Sequence, residues 1–107
     1  MARILICEPV EETRELLERL VRRMGHDIVG IADLRTVDVL LFEPRSPDGL
    51  ALAEELLRVR PDASLVACSA EPLRPQLQLP RLVATLLQPF SPADLARALD
   101  GLPVSTA

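Results

Sequence analysis

Glu43 closes the most apolar run of the chain, Val39-Leu40-Leu41-Phe42. After it come a turn and a helix start, Pro44-Arg45-Ser46-Pro47-Asp48-Gly49. A carboxylate in that place stands at the solvent end of a rigid, buried strand. Glu8 has the same relation to the run at residues 4–7, Ser69 to residues 65–68 and Gln88 to residues 83–87. The four offer two acids, a hydroxyl and an amide. Cys7, beside Glu8, could act as a nucleophile for phosphotransfer. Such sites need a glycine-rich loop with free backbone N–H groups to cradle phosphate. The loop here, Glu8-Pro9-Val10-Glu11-Glu12, is acidic, contains proline and would repel phosphate. A Cys7-dependent phosphotransfer enzyme is therefore the least favoured function. His26, the single histidine, falls in a turn and reads as a solvated residue. Nothing places it near Ser69, so a hydrolytic triad has no support, and the chain is not expected to be an enzyme.

The elements that must position these residues follow from periodicity. Residues 4–7 form a short continuous apolar run, as in a strand buried on both faces. Residues 10–24 read as a helix with Leu16, Leu17, Leu20, Val21 and Met24 on one face, closed by Gly25. Residues 28–31 and 39–42 read as the second and third strands. A helix capped by Asp48 runs to about Arg60, with Leu52, Leu56 and Val59 on one face and Pro61 ending it. Residues 65–68 and 83–87 supply two more strands. Ser91-Pro92-Ala93-Asp94 opens a last helix with a serine cap and proline at its first position. Strands alternating with helices predict an open parallel sheet covered on both faces. Functional groups of such sheets gather at the carboxyl ends of the strands, where Glu8, Glu43, Ser69 and Gln88 stand.

At 107 residues the chain is long enough for one domain with one core. We read residues 1–103 as that domain and 104–107 as a tail. Apolar residues make up 49%, with no Trp or Tyr and two Phe, so the core is aliphatic. The net charge is -4 and no basic stripe is present, which argues against nucleic-acid binding. The apolar runs are strand-length, too short for a membrane span. Cys7 and Cys68 form no disulfide framework and fit a reducing, cytoplasmic setting.

Five segments in order carry a resemblance. They are Arg3-Ile4-Leu5-Ile6-Cys7-Glu8 with Arg14 in the following helix, Met24-Gly25-His26-Asp27-Ile28-Val29-Gly30, the Glu43 strand, Val66-Ala67-Cys68-Ser69-Ala70, and Leu86-Leu87-Gln88-Pro89-Phe90. Over nearly its whole length the chain resembles the response-regulator receiver domains of two-component signalling. The resemblance implies a flavodoxin-like, five-stranded parallel sheet of order 2-1-3-4-5. It also implies a cleft in which two acids and an acceptor aspartate hold a divalent cation, while a hydroxyl and a lysine bind the phosphoryl group. Mapped residue by residue, the acids are Glu8 and Pro9, the acceptor is Glu43, the hydroxyl is Ser69 and the lysine is Gln88. The switch aromatic falls on Thr85.

Three of these positions depart from the pattern. Pro9 has no side-chain oxygen. Glu43 carries its carboxylate one methylene further out than aspartate, enough to spoil an in-line transfer. Gln88 has no charge, and the chain contains no lysine to replace it. No cofactor is expected; the departures speak against Mg2+ binding, and only a weak cation site from Glu8 and Glu43 is left open. The favoured function is a divergent pseudo-receiver that signals by protein–protein interaction without phosphorylation. Glu43 then either holds an active-like state or merely fills a vacated position. The alternative is a weakened but functional phosphoacceptor.

Two helices of the family pattern lack room or composition. Only Ala32-Asp33-Leu34-Arg35-Thr36 joins the second strand to the third, where a parallel crossover normally needs a dozen residues. Either that return is extended or the second strand is very short. Residues 71–80 contain three prolines, which break a fourth helix. Both deficits fall on one sheet face. Leu73, Leu77 and Leu79 are expected to fold over it, or else a partner or second copy of the chain covers it.

Overall fold

Five short strands, all parallel, lie in the order β2-β1-β3-β4-β5 in the computed structural model, which describes residues 1–72 and 79–104. In chain order they are β1 (Arg3–Cys7), α1 (Glu11–Arg23), β2 (Asp27–Ile28), a 3-10 helix (Ile31–Thr36), β3 (Val39–Phe42), α2 (Pro47–Val59), β4 (Ser64–Ser69), β5 (Leu82–Leu87) and α3 (Pro92–Leu99). This is the expected sheet order.

The local chemistry explains most of the boundaries. Glycine closes α1 because the chain turns left-handed there, with φ +87 at Gly25. The Gly25 N–H reaches the Arg22 carbonyl (3.0 Å) and the His26 N–H the Val21 carbonyl (3.2 Å), the paired bonds of a Schellman cap. Ser91 caps α3 through a reciprocal box with Asp94. At α2 the expectation needs correction: Ser46, not Asp48, is the cap. Its Oγ accepts the Gly49 N–H at 3.4 Å, Pro47 takes the first helical position, and Asp48 falls inside the first turn.

The second strand is also shorter than residues 28–31. It stops at Ile28, and Ile31–Thr36 coils into the 3-10 helix. The short connection is thus met by shortening the strand and tightening the crossover, since a 3-10 turn uses three residues where an α turn uses 3.6. No α-helix forms between β2 and β3.

Two apolar layers flank the sheet. On one side Leu17 and Val21 of α1 and Leu95 and Leu99 of α3 pack on Ile4, Val39, Leu41, Val66, Cys68 and Leu86. On the other, Ala53 and Leu56 of α2 pack on Leu5, Leu40, Phe42, Leu65 and Ala67. Of the two covers expected for this face, leucines from residues 71–80 or a partner, the first is met as far as Leu79, and the residues of β1, β3 and β4 there are buried. Leu34 of the 3-10 helix and Leu79 pack around that layer. Leu73 and Leu77 lie outside the described residues. Exposure on this sheet is concentrated on β5, where Val83 and Leu87 are 43% and 47% exposed and Thr85 is exposed between them.

His26 is not the solvated turn residue the sequence suggested. Its Nδ1 accepts the Ala2 N–H at 2.9 Å and ties the start of the chain to the α1–β2 turn. Burial, with the amino-terminal charge adding to it and Asp27 opposing, lowers the imidazole pKa below its ordinary 6.5. A lowered pKa means the unfolded chain binds more protons. The stabilisation from neutral His26 is therefore complete above pH 6.5 and is lost as pH falls through the lower folded value. We expect denaturant midpoints to fall on acidification below about pH 6.5, and to fall less in His26→Asn. Parallel pH profiles for the two proteins would refute this.

Candidate functional site: an acidic cleft at the carboxyl ends of the strands

Strand register brings the sequence-predicted residues to one edge. Cys7 lies beside Phe42, Phe42 beside Ala67, and Ser69 beside Leu87. Glu8, Glu43, Ser69 and Gln88 thus leave four neighbouring strands at one end of the sheet, in the spatial order β1-β3-β4-β5.

Glu8 is 8% exposed. Its Oε1 accepts the Val10 N–H at 3.2 Å, serving the open start of α1, where no side chain caps the helix. Its Oε2 is buried with no hydrogen-bond partner. Burial first, and the Glu43 charge in addition, push the Glu8 pKa above the ordinary carboxylate value, against the opposing Val10 N–H. Pro9 is exposed and adds no oxygen.

Glu43 is half-buried and is occupied with its own turn. Its Oε1 accepts the Arg45 N–H at 2.9 Å, and its carbonyl accepts the Ser46 N–H at 3.1 Å. The longer glutamate side chain can curl back to cap the residue two places on. Gly49, in the first turn of α2, lies so close to the Glu43 carbonyl that an added Cβ would meet its oxygen at 2.5 Å. Sequence reasoning missed Arg45. Its guanidinium pairs with Glu71 at 2.7 Å, so it bridges the loop after β3 to the loop after β4. The only signal in the sequence was an arginine two places after Glu43, and its partner lies 26 residues further on.

Ser69 is buried, and its hydroxyl accepts the Glu71 N–H at 3.3 Å. Its carbonyl accepts the Gln88 N–H at 2.8 Å, which ties β4 to the end of β5. Thr85 lies beside Ala67 on the exposed edge strand. Burial, with Asp48 and Glu8 adding to it, raises the Cys7 thiol pKa, and the Cys68 thiol is pushed up to about 12 by burial and both glutamates. Neither thiol has the depressed pKa that marks an activated nucleophile.

A magnesium ion needs near-octahedral oxygen coordination, and one or two carboxylates usually anchor it with several waters. The residues do not fit that requirement well. Pro9 contributes nothing, one Glu43 oxygen is engaged by Arg45, and the free Glu8 oxygen is shut away from solvent. Among the described residues no group of three or more His, Cys, Asp and Glu could hold a metal ion.

No family model matches the chain. Among curated proteins it is 30% identical over 112 residues to the transcriptional regulatory protein PdtaR of Mycobacterium tuberculosis, in two strains, covering 92% of this chain. The chain spans about half the length of these relatives, 55%. Among solved structures it superposes on the response regulator TrrA of Thermotoga maritima, in complex with Mg(2+)-BeF, with a TM-score of 0.78. That match has 21% identity and covers 96% of this chain and 100% of the other. A CheY-like receiver domain of Methylobacillus flagellatus gives 0.75 at 20% identity, covering 96% and 99%. The receiver domain of a Pseudomonas aeruginosa sensor histidine kinase, with magnesium in its active-site cleft, gives 0.71 at 23% identity, covering 90% and 92%. Among the described residues no helix is long and apolar enough to cross a membrane.

Proposed function

We propose that this chain, whose fold is that of a response-regulator receiver domain, is a signalling module that works by binding protein partners without being phosphorylated. One observation carries the reading: the cleft that would receive a phosphoryl group holds two carboxylates, with Pro9 and Gln88 at the positions of an acid and a cation. A phosphoryl group brings about two negative charges. Beside Glu8 and Glu43, with Pro9 in place of an acid that would help hold a neutralising cation and no lysine in the chain to bind it, that charge is repelled. The Glu43 carboxylate is also turned toward the Arg45 N–H. The module carries out no catalysis of its own. The exposed Val83 and Leu87 on β5 offer an apolar part of a docking surface, for another protein or a second copy of the chain.

A weakened phosphoacceptor is the second reading, and it rests on Glu8, Glu43 and Ser69 still sharing one strand edge. An amide NMR titration with magnesium and then beryllofluoride, a stable phosphoryl mimic, separates the two. The first reading expects unchanged resonances at Glu8, Glu43, Ser69 and Gln88. Shifts clustered at those four residues that require both additions would overturn it.

A further inference from the structure

The sheet has two edges, and they differ. β2 is two residues long and carries the charge of Asp27, and both features keep further strands from adding to an edge. β5 is six residues long, Leu82-Val83-Ala84-Thr85-Leu86-Leu87, with neither charge nor proline. An uncharged edge of that length is a template for another strand. The flanking charge is turned inward: Arg81 donates to the Ala63 and Asp62 carbonyls and to the Ser64 hydroxyl, on the β4 side.

Register decides which groups lie open. The Gln88 N–H donates to the Ser69 carbonyl, so residue 88 faces β4. Backbone groups alternate sides along a strand. Ala84 and Leu86 therefore also face β4, while Val83, Thr85 and Leu87 turn their N–H and C=O groups to the open edge. The register shift opposite Leu65 and Val66 falls before Ala84 and leaves Thr85 and Leu87 in the regular ladder. Among the described residues no hydrogen bond from outside the sheet reaches Val83, Thr85 or Leu87. The side chains of the same three are exposed, whereas Ala84 and Leu86 pack into the layer shared with α1 and α3.

We propose that β5 is a self-pairing edge: two copies of the chain join antiparallel along it, with the two-fold axis at Thr85, and their five-stranded sheets become one continuous sheet. Two-fold symmetry requires the antiparallel sense. An axis at Thr85 sets Thr85 against Thr85 of the second copy, Val83 against its Leu87 and Leu87 against its Val83. Threonine meets threonine and apolar meets apolar, both favourable cross-strand pairs. Each of these residues points its backbone groups across the edge, so the two Thr85 residues exchange both N–H···O=C bonds and the ladder extends to either side. Arg81 then stands opposite Pro89 rather than another charge, and Pro89, lacking an N–H, ends the ladder. A second copy is the occupant because the strand is its own complement in this register. The contact is one strand wide, smaller than the interface of a permanent dimer, so association is weak and rises with concentration. The inference rests on the reading of the chain as a protein-binding module and names the partner of its β5 surface.

The test is sedimentation velocity of the full chain from micromolar to millimolar concentration, with isotope-filtered NMR on a mixture of labelled and unlabelled chain. The expected result is a monomer that gives way to a dimer as concentration rises. The Val83, Thr85 and Leu87 amides gain protection from exchange over the same range, and intermolecular contacts appear between Val83 and Leu87. Thr85→Lys changes an exposed position and puts like charges across the axis, so it is expected to stay monomeric where the parent is dimeric. Mixing it with Thr85→Glu is expected to restore the dimer. A parent chain that stays monomeric throughout would overturn the pairing and leave this edge to a strand of another protein. A dimer that persists in Thr85→Lys without protection along β5 would overturn it too, by placing the contact on another face. Either failure is distinct from failure of the functional reading, which appears as shifts requiring magnesium and beryllofluoride.

Discussion

Replacing Asp38 by alanine is expected to lower stability by about 3 kcal/mol, because a charged partner and a backbone donor lose their acceptor together. Asp38 is buried at the amino ends of the strands, opposite the cleft. Its Oδ2 accepts the Arg3 N–H at 2.9 Å, and its Oδ1 lies 3.6 Å from the Arg60 guanidinium. Alanine leaves the Arg3 N–H without this acceptor. It also leaves Arg60, four-fifths buried, with Asp62 and the Arg35 carbonyl as its other partners. Loss of one partner from a buried pair typically costs about 3–5 kcal/mol, and the partial exposure of Arg60 argues for the lower end. Asp62 provides the control. It pairs with the same arginine at 3.1 Å but sits in solvent, so Asp62→Ala should lose little. Urea unfolding of both variants decides the matter. Equal losses would mean that the burial of Asp38 carries none of the effect.

Asp38 also marks where sequence reasoning ran out. The central strands were legible because their apolar runs are continuous, as strands buried on both faces tolerate, and the parallel order followed from the alternation of elements. The edge holding Glu8, Glu43, Ser69 and Gln88 was legible for the same reason, as the residues after each run. The failures share one cause: each depended on contacts between residues far apart in sequence. Asp38 carried no signal in the sequence, yet it accepts from Arg3, 35 residues earlier. His26 looked like a turn residue, yet it holds Ala2. The face in need of cover takes Leu79, as the sequence offered, but also Leu34, which lies in a 3-10 turn without helical periodicity. The misplaced cap at α2 is a different matter. Ser46 and Asp48 are both good caps, and the proline between them decides for serine, because proline is favoured at the first helical position.

Gly49→Ala tests whether the turn that carries Glu43 is set by packing from below. Alanine is the better helix former by about 1 kcal/mol, so an exposed glycine in α2 would be improved by the change. Here an added Cβ would lie 2.5 Å from the Glu43 carbonyl oxygen, well inside contact distance. That oxygen is backbone and already accepts the Ser46 N–H, so it cannot rotate away as a flexible side chain would. Overpacking of this kind costs about 1–3 kcal/mol, and with an immovable neighbour the upper figure applies. The two effects oppose each other, and a net loss of about 2 kcal/mol is expected. The loss has a local signature as well. To make room, the carbonyl must move toward the cleft, taking the Arg45 and Ser46 amides with it. Large amide shifts there, with α3 unchanged, would mean that Gly49 sets the height of the Glu43 carboxylate above the sheet. A variant as stable as the parent would mean that α2 slides away from the strand, leaving the position of Glu43 to its own turn and the Arg45 N–H.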